Sequence, residues 1–180
     1  MNTILEESIR EETVCRTAEQ MLIAARTAPK ARGIDNLVIA VLDKDGIREL
    51  SDKLKEMAGG QDVPSFFLRD ANCILLAERV VLIGTRLKSA GLNACDLCGF
   101  SSCEEKDKHP DVPCIFNVND LGIAIGSAVS VAMDNRVDNR VMFTVGRAAK
   151  ELNLLGDDVK IVFGIPLSVS GKNPFFDRKS

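Results

Sequence analysis

Stretches with apolar residues at helical spacing alternate along this chain with short runs that are apolar throughout. The first helical stripe consists of Val14, Ala18, Met21, Leu22 and Ala25. It predicts an amphipathic helix that ends before Pro29, because proline disfavours helical geometry in the residue preceding it. Residues 37–42 and 80–83 are continuous apolar runs. Such runs predict two strands that are buried on both faces.

The later elements follow the same two patterns. Residues 43–46 predict a turn, and residues 47–57 a second helix that Gly59 stops. A helical turn is predicted after Pro64, and a helix over residues 121–133 with Asp120 as its cap. A further helix is expected over about residues 138–153, a strand over 159–163, and a loop or arm over 165–180. This alternation predicts one α+β domain over residues 1–180, layered around a single core.

One face of the helix predicted over residues 121–133 carries small residues. Gly122, Gly126 and Ser130 fall four residues apart along it. Such a face lets another backbone approach closely, so we expect a close neighbour there.

Composition and charge disfavour several classes of partner. The net charge is −3, and the chain contains neither Trp nor Tyr. A mildly acidic surface without stacking platforms makes a poor binder of nucleic acid or anionic membranes. The acidic N-terminus does not resemble a signal peptide, and the near-apolar run over residues 121–133 is short for a membrane span. These features predict a cytoplasmic protein without nucleic-acid or membrane partners.

The most informative pattern is a group of four cysteines within residues 94–114, which we call the cysteine segment. Its spacing is Cys95-x2-Cys98-x4-Cys103-x10-Cys114. Four thiolates are the usual ligand set of a [4Fe–4S] cluster, and Gly99 allows a tight turn after the second ligand. Structural zinc also takes four cysteines, although it favours two short Cys-x-x-Cys pairs. A disulfide or free buried thiols would also account for the pattern.

The remaining cysteines and the single histidine carry weaker signals. Cys15 and Cys73 have helical or apolar surroundings and are interpreted as inert core thiols. His109 lies in the polar run over residues 104–111, which we expect to be exposed. This histidine is therefore interpreted as a solvated loop residue, with a substitute ligand as the alternative.

The phrase Asn93-Ala-Cys-Asp-Leu-Cys-Gly-Phe-Ser-Ser-Cys103 resembles the four-cysteine iron–sulfur domain of electron-transport complex subunits and corrinoid iron–sulfur proteins. The last spacer, before Cys114, is shorter here than in that domain. The resemblance implies a cluster held within an insertion over residues 93–116.

A second resemblance, covering about a third of the chain, is to the FMN nitroreductases. Residues 21–33, the strand after them, and the segments 148–154 and 164–166 carry it. It implies a three-layer sandwich with the cysteine loop inserted between strands, and a homodimer whose flavin site lies between subunits. It places Pro29, Lys30 and Gly33 near FMN, with Lys172 and Arg178 as partners of the phosphate.

The chain departs from the nitroreductase phrase at two of these positions. Lys30 stands where that family has Ser, and Gly33 stands where it has Asn. These departures favour a non-catalytic binding or scaffold module. The alternative to a flavin loop is that residues 29–33 are only a helix stop and a turn.

Most of the chain also resembles an uncharacterised bacterial and archaeal family of ferredoxin-domain-containing proteins. Residues 120–128, 137–140 and 171–178 carry this resemblance. It implies the fold and the cluster but no reaction.

A dense polar cluster occupies residues 134–140, between two apolar helices. Helix capping and surface ion pairs would explain it. The alternative is a substrate or phosphate site that uses Asn139 and Arg140.

Taken together, these patterns predict an iron–sulfur redox protein, with a [4Fe–4S] cluster relaying electrons to FMN or to a small acceptor. Whether it is an enzyme, its substrate and its electron donor stay open. The alternative is a non-catalytic scaffold or binding module in which the four cysteines hold a structural zinc.

Overall fold

A computed structural model describes residues 3–176 of the chain. The strands of the described part are β1 (Leu37–Leu42), β2 (Arg79–Arg86), β3 (Asp138–Asn139) and β4 (Val159–Ser168). The helices are α1 (Arg10–Thr27), α2 (Lys44–Ala58), α3 (Phe66–Ile74), α4 (Cys103–Asp107), α5 (Ile115–Asp134) and α6 (Phe143–Glu151). Short 3-10 helices form at Glu6–Ser8 and Ala31–Gly33.

The four strands form one antiparallel sheet in the order β1-β2-β4-β3. At one end of the sheet, the first residues of β1 and β4 lie beside the last residues of β2. We call this the cysteine end, because the chain leaves β2 there toward the cysteine segment. At the other end, the distal end, β4 finishes beside β3. The ten residues of β4 separate the two ends by roughly 30 Å at about 3.3 Å per residue.

Helices cover both faces of the sheet, so the molecule is a three-layer sandwich, as predicted. Side chains of β2 alternate between two cores, because successive residues of a strand point to opposite faces. Val80 and Leu82 pack in the core beneath α2, α3 and α6. Val81 and Ile83 pack in the core beneath α1 and α5. The prediction that β2 is buried on both faces is thus confirmed.

The same prediction is wrong for β1. Only Leu37 is buried, and the other five residues of this strand are half-buried. The reason is its position, since β1 pairs with β2 alone and lies at the edge of the sheet. An apolar run does not show how many neighbours its strand will have.

The predicted turn over residues 43–46 is instead the start of α2. The Asp43 carboxylate accepts the backbone N–H groups of Asp45 and Gly46, each at 3.1 Å, and caps the helix. Asp120 is likewise not the cap of its own helix, because α5 begins earlier, at Ile115. The buried Asp120 carboxylate accepts the N–H of Ala31 at 3.1 Å, far away in sequence.

The last third of the chain also differs from the prediction. Residues 138–142 are extended, and only Phe143–Glu151 is helical. The final strand continues to Ser168, so residues 165–168 belong to the sheet instead of to a loop. Both differences arise because β3 and Met142 hydrogen-bond to β4.

Helix α5 is long and apolar enough to cross a membrane by those two criteria alone. Because α5 begins at Ile115, the helix is longer than the run over residues 121–133, which by itself is short for a membrane span. In the fold, Leu121, Ala124 and Ala128 of α5 are buried in the core shared with α1. One face of α5 therefore packs in the core, whereas Val118, Ile123 and Met133 elsewhere on the helix are exposed.

Candidate functional site

All four cysteines of the cysteine segment line one cavity of about 470 Å³, which we call the cysteine cavity. Cys95, Cys98 and Cys103 are half-buried, and Cys114 is buried. Two different elements supply them, since Cys103 begins α4 and Cys114 is the residue that precedes α5. The fold thus brings Cys114 to the other three despite its ten-residue spacer.

The backbone around the first two cysteines forms a tight loop. Ala94 and Asp96, on either side of Cys95, have φ angles of 53° and 40°. Residues with a Cβ seldom adopt this region, so the loop is held by its surroundings at some cost in strain. Gly99 has a φ of 82°, and its N–H donates to the Asp96 carbonyl at 3.0 Å. A glycine after the second cysteine is what this turn requires.

The side chains that line the cysteine cavity are not already gathered around one metal position. Among residues 3–176, no three His, Cys, Asp or Glu side chains converge closely enough to hold one metal ion. A zinc ion needs four donors within about 2.3 Å of one point. A cluster spreads its ligands over several iron atoms, so its thiolates can stand farther apart around a larger space.

Lys106 lines the same cavity, although its polar surroundings in the sequence predict exposure. Its side chain is only 3% exposed, so the prediction of an exposed run over residues 104–111 is wrong at this position. His109, by contrast, is exposed and stacks on the Phe100 ring at 5.2 Å. It does not line the cysteine cavity, which agrees with a solvated loop residue.

Residues 29–33, the proline loop, lie beside the chain that flanks the cysteine segment, at the cysteine end of the sheet. The Arg32 guanidinium donates to the carbonyls of Ala90 and Gly91, at 2.9 and 3.0 Å. Asp120, six residues after Cys114, holds the N–H of Ala31. Two long-range contacts therefore join the loop predicted to face a flavin to residues on either side of the cysteine segment, of which Ala90 and Gly91 line the cysteine cavity.

Two of the predicted flavin-loop residues are exposed, and the third is engaged by the backbone. Pro29 and Gly33 are exposed, and a Cβ at Gly33 would meet no atom within 4 Å. The Lys30 ammonium donates to three carbonyls near the end of α1, those of Ala25, Arg26 and Ala28. Lys30 therefore stabilises the end of this helix in the way that cations do.

The other predicted binding residues lie at the distal end of the sheet. Asn139 pairs with Leu167, next to the end of β4, and Lys172 follows that strand as an exposed residue. Arg140 donates to the Phe175 carbonyl at 2.9 Å. Arg178 lies outside the described residues. One chain thus does not bring the two halves of the predicted flavin set together.

A small cleft of about 190 Å³ opens beside Arg140, lined by Phe66, Arg69, Asp70, Val141, Met142 and Phe143 as well. Asp70 is buried on its wall and accepts from Thr144 Oγ1 and Arg69 Nη2, both at 2.8 Å. The sequence analysis missed Asp70. A charged residue within the apolar stretch of α3 is its only sequence signal.

The two cysteines outside the cysteine segment do not belong to either site. Cys73 is half-buried, and its thiol lies 3.5 Å from the Pro174 carbonyl. Burial raises the pKa of the Cys73 thiol, and the nearby Asp70 carboxylate adds to this. Cys15 is half-buried in α1 and lies 3.9 Å from the Glu19 carboxylate. Both thiols are less buried than core residues would be.

The sandwich is the fold of the nitroreductases. A nitroreductase with bound FMN from Bacteroides fragilis is 13% identical, with a TM-score of 0.61 over 92% of this chain and 82% of that one. A nitroreductase with bound FMN from Desulfitobacterium hafniense is 14% identical, with a TM-score of 0.61 over 96% of this chain and 82% of that one. A nitroreductase family protein from Clostridium novyi is 14% identical, with a TM-score of 0.60 over 90% of this chain and 76% of that one. At such identities the likeness concerns the fold.

The chain belongs to the family of uncharacterized proteins containing a ferredoxin domain (DUF2148). The family match covers residues 110–178, which include Cys114 but not the other three cysteines of the segment. An uncharacterized protein of Archaeoglobus fulgidus is 39% identical over 96% of this chain and 96% of its own length. Membership therefore agrees with the predicted resemblance, while the four-cysteine ligand set rests on the spacing of the cysteines and on their shared cavity.

Proposed function

We propose that this chain is an iron–sulfur redox protein that holds a [4Fe–4S] cluster on Cys95, Cys98, Cys103 and Cys114. The observation that carries the proposal is that all four thiols line one cavity, although they come from separate parts of the cysteine segment. Ferredoxin-domain membership and the nitroreductase fold both support a redox function. A cluster of this kind takes up and releases one electron at a time.

The spacing and chemistry of the four donors support a cluster over a single zinc ion, which favours two short Cys-x-x-Cys pairs. The donors are four sulfur atoms, which iron–sulfur clusters prefer. The cavity is about 470 Å³ and its candidate ligands do not converge on one point. The residues that begin α5, Ile115 and Phe116, also line it, so the positive end of this helix is close to the site. An anionic centre would be stabilised there.

We further propose that the electron acceptor, FMN or another small molecule, binds beside the proline loop. Through Arg32 this loop contacts Ala90 and Gly91, which line the cysteine cavity, and it is exposed at Pro29 and Gly33. The bound FMN of two structural neighbours supports a flavin as the first choice. Because the Lys30 ammonium is engaged by carbonyls, we assign contact with the acceptor to the loop backbone instead.

Anaerobic purification followed by an absorbance spectrum and analysis of iron, sulfide and zinc tests the cluster. We expect a broad brown absorbance that dithionite bleaches, with about four iron and four sulfide atoms per chain. Bands of a yellow component would add a bound flavin. A colourless protein that holds one zinc per chain would contradict the proposal and support the alternative of a scaffold with a structural metal.

Single Cys→Ser variants identify the ligands. Variants at Cys95, Cys98, Cys103 and Cys114 should each lose most of the iron. Cys15→Ser and Cys73→Ser are the matched controls, because both thiols lie outside the cysteine cavity, and they should keep the iron of the unmodified protein. Full iron content in Cys114→Ser would show that the fourth ligand lies elsewhere.

We also propose that the chain forms a homodimer. The predicted flavin-binding residues lie at opposite ends of a strand roughly 30 Å long, with Gly33 at the cysteine end and Lys172 at the distal end. Two chains would be needed to bring both groups to one flavin. The exposed face of α5 offers an apolar contact surface, formed by Val118, Gly122, Ile123, Gly126 and Met133.

Within the described chain, a Cβ at Gly122 or Gly126 would meet no atom within 4 Å. The close neighbour expected from the small-residue face is therefore absent from residues 3–176 of one chain and would come from the partner. Sedimentation equilibrium should give twice the chain mass, and Ile123→Glu should give the monomer mass with an unchanged circular dichroism spectrum. A dimer that survives this substitution would exclude this face.

A further inference from the structure

Lys106 is a buried cation in the wall of the cysteine cavity. Its side chain is 3% exposed, whereas Lys108, two residues later, is 68% exposed and pairs with Glu105 at 2.5 Å. A lysine is seldom buried unless an opposite charge compensates for the water that it loses. The burial of Lys106 therefore calls for an anionic partner.

The protein part of the site supplies only a loose partner for Lys106. Its ammonium lies 3.6 Å from the Asp107 carboxylate, beyond the 2.7–3.2 Å of a good hydrogen bond. Asp107 is itself 58% exposed, so water weakens its attraction for the lysine. The other acidic residues that line the cavity, Asp96 and Glu104, are exposed.

The cysteine cavity offers a stronger partner. If its four thiols bind a cluster, they do so as thiolates, and each adds a negative charge beside Lys106. Reduction transfers one electron from the reductant to the cluster, with no bond to protein made or broken, and so makes this centre still more negative. A fixed positive charge in the same cavity then stabilises the reduced form more than the oxidised form.

We infer that Lys106 is the counter-charge of the cluster and a positioning residue that raises its reduction potential. This inference rests on the proposed cluster and adds the side chain that tunes it. The N-terminal end of α5 contributes charge of the same sign to the same cavity. The charge of Lys106 can be removed by a single substitution, whereas the backbone charge at the helix end cannot.

Lys106→Met, studied in the complete protein with its cluster, tests the inference. Methionine keeps an unbranched side chain of similar length and removes the charge. A potentiometric titration, followed by absorbance or electron paramagnetic resonance, gives the reduction potential. We expect the equilibrium constant for reduction by a given reductant to fall by about tenfold, which is 59 mV for a one-electron couple.

Two further variants separate charge from packing. Lys108→Met makes the same change in net charge outside the cavity and should leave the potential unchanged, since exposed charges are screened. Lys106→Arg keeps the charge and should keep the potential. Equal potentials in Lys106→Met and the unmodified protein would overturn the inference, as would equal shifts in Lys106→Met and Lys108→Met.

If Lys106→Met does not hold the cluster, its reduction potential cannot be measured. The iron content of the variants is then compared instead. Iron loss in Lys106→Met, with full iron in Lys106→Arg and Lys108→Met, supports the counter-charge. Iron loss in both Lys106 variants assigns the residue to packing and overturns the inference. An unmodified protein that contains no iron after anaerobic purification contradicts the proposed function itself, which distinguishes the two failures.

Discussion

The packing of α6 on β4 allows a sharp prediction about Gly146→Ala. A Cβ at Gly146 would lie 1.8 Å from the Val162 carbonyl oxygen, 2.4 Å from its carbon and 2.9 Å from Phe163 Cα. Real Cβ atoms essentially never approach a neighbour within 3.0 Å. All three atoms belong to the backbone of the sheet, so no side-chain rotation can relieve the clash.

Relief requires α6 to move away from β4 by about 1 Å or more, which loosens the packing of the buried Val145, Ala148 and Ala149. Overpacking a core costs about 1–3 kcal/mol and sometimes more. A clash with backbone belongs at the upper end of this range. The greater helix propensity of alanine offsets about 1 kcal/mol of this loss in stability. We therefore expect a net loss of about 2 kcal/mol or more in the free energy of unfolding.

Urea unfolding followed by circular dichroism measures this loss. Gly126→Ala in α5 is the matched control, since its Cβ would meet no atom within 4 Å of the same chain. At a protein concentration low enough to keep the chain monomeric, the control should be more stable by up to about 1 kcal/mol. A Gly146→Ala protein as stable as the unmodified one would refute the argument, because α6 and β4 could then not be in such close contact.

Three further predictions follow from single contacts. Arg32→Met removes two hydrogen bonds to the residues before the cysteine segment, so amide hydrogen exchange in those residues should become faster. Arg16→Met, which changes an exposed side chain of α1, should leave that exchange unchanged. Asp43→Ala removes the cap of α2 and should lower the urea midpoint at pH 7. The N–H of Gly46 lowers the pKa of Asp43 from 3.8, so this stability is present above that pH and lost as pH falls through the folded pKa. The midpoint difference should therefore shrink in acid, and a constant difference would refute the capping role. Burial raises the pKa of Cys73, so its alkylation at pH 7, followed by mass spectrometry, should be slower in the folded protein than in urea, and equal rates would contradict this.

Local patterns predicted much of the framework. The apolar spacing of α1 and the disfavoured geometry before Pro29 are encoded within a few residues, so the helix and its end at Thr27 were both confirmed. The apolar run of β2 was confirmed for the same reason, since a strand covered on both faces has no polar positions to interrupt it. The resemblance to nitroreductases then predicted the three layers.

The errors lie where one segment depends on a distant one. Residues 138–142 were predicted to be helical, but Asp138, Asn139 and Met142 pair with β4, because hydrogen bonding to a strand outweighed local propensity. Asp120 has the sequence of a helix cap but binds Ala31 across the fold. Lys106 has the sequence of an exposed residue and is buried. No local window along the chain contains the partner that decides the first two positions, and the burial of Lys106 depends on how the cysteine segment folds around it.

The proposed ligand chemistry follows from the sequence, because four thiols at that spacing are typical of soft metal centres. The segments that could be buried follow from the sequence as well. The fold was needed to show that Cys114 and Lys106 line the same cavity as the other three cysteines, and that the proline loop contacts Ala90 and Gly91, which line it as well. These arrangements depend on how the chain packs around the sheet, and local pattern does not determine that packing.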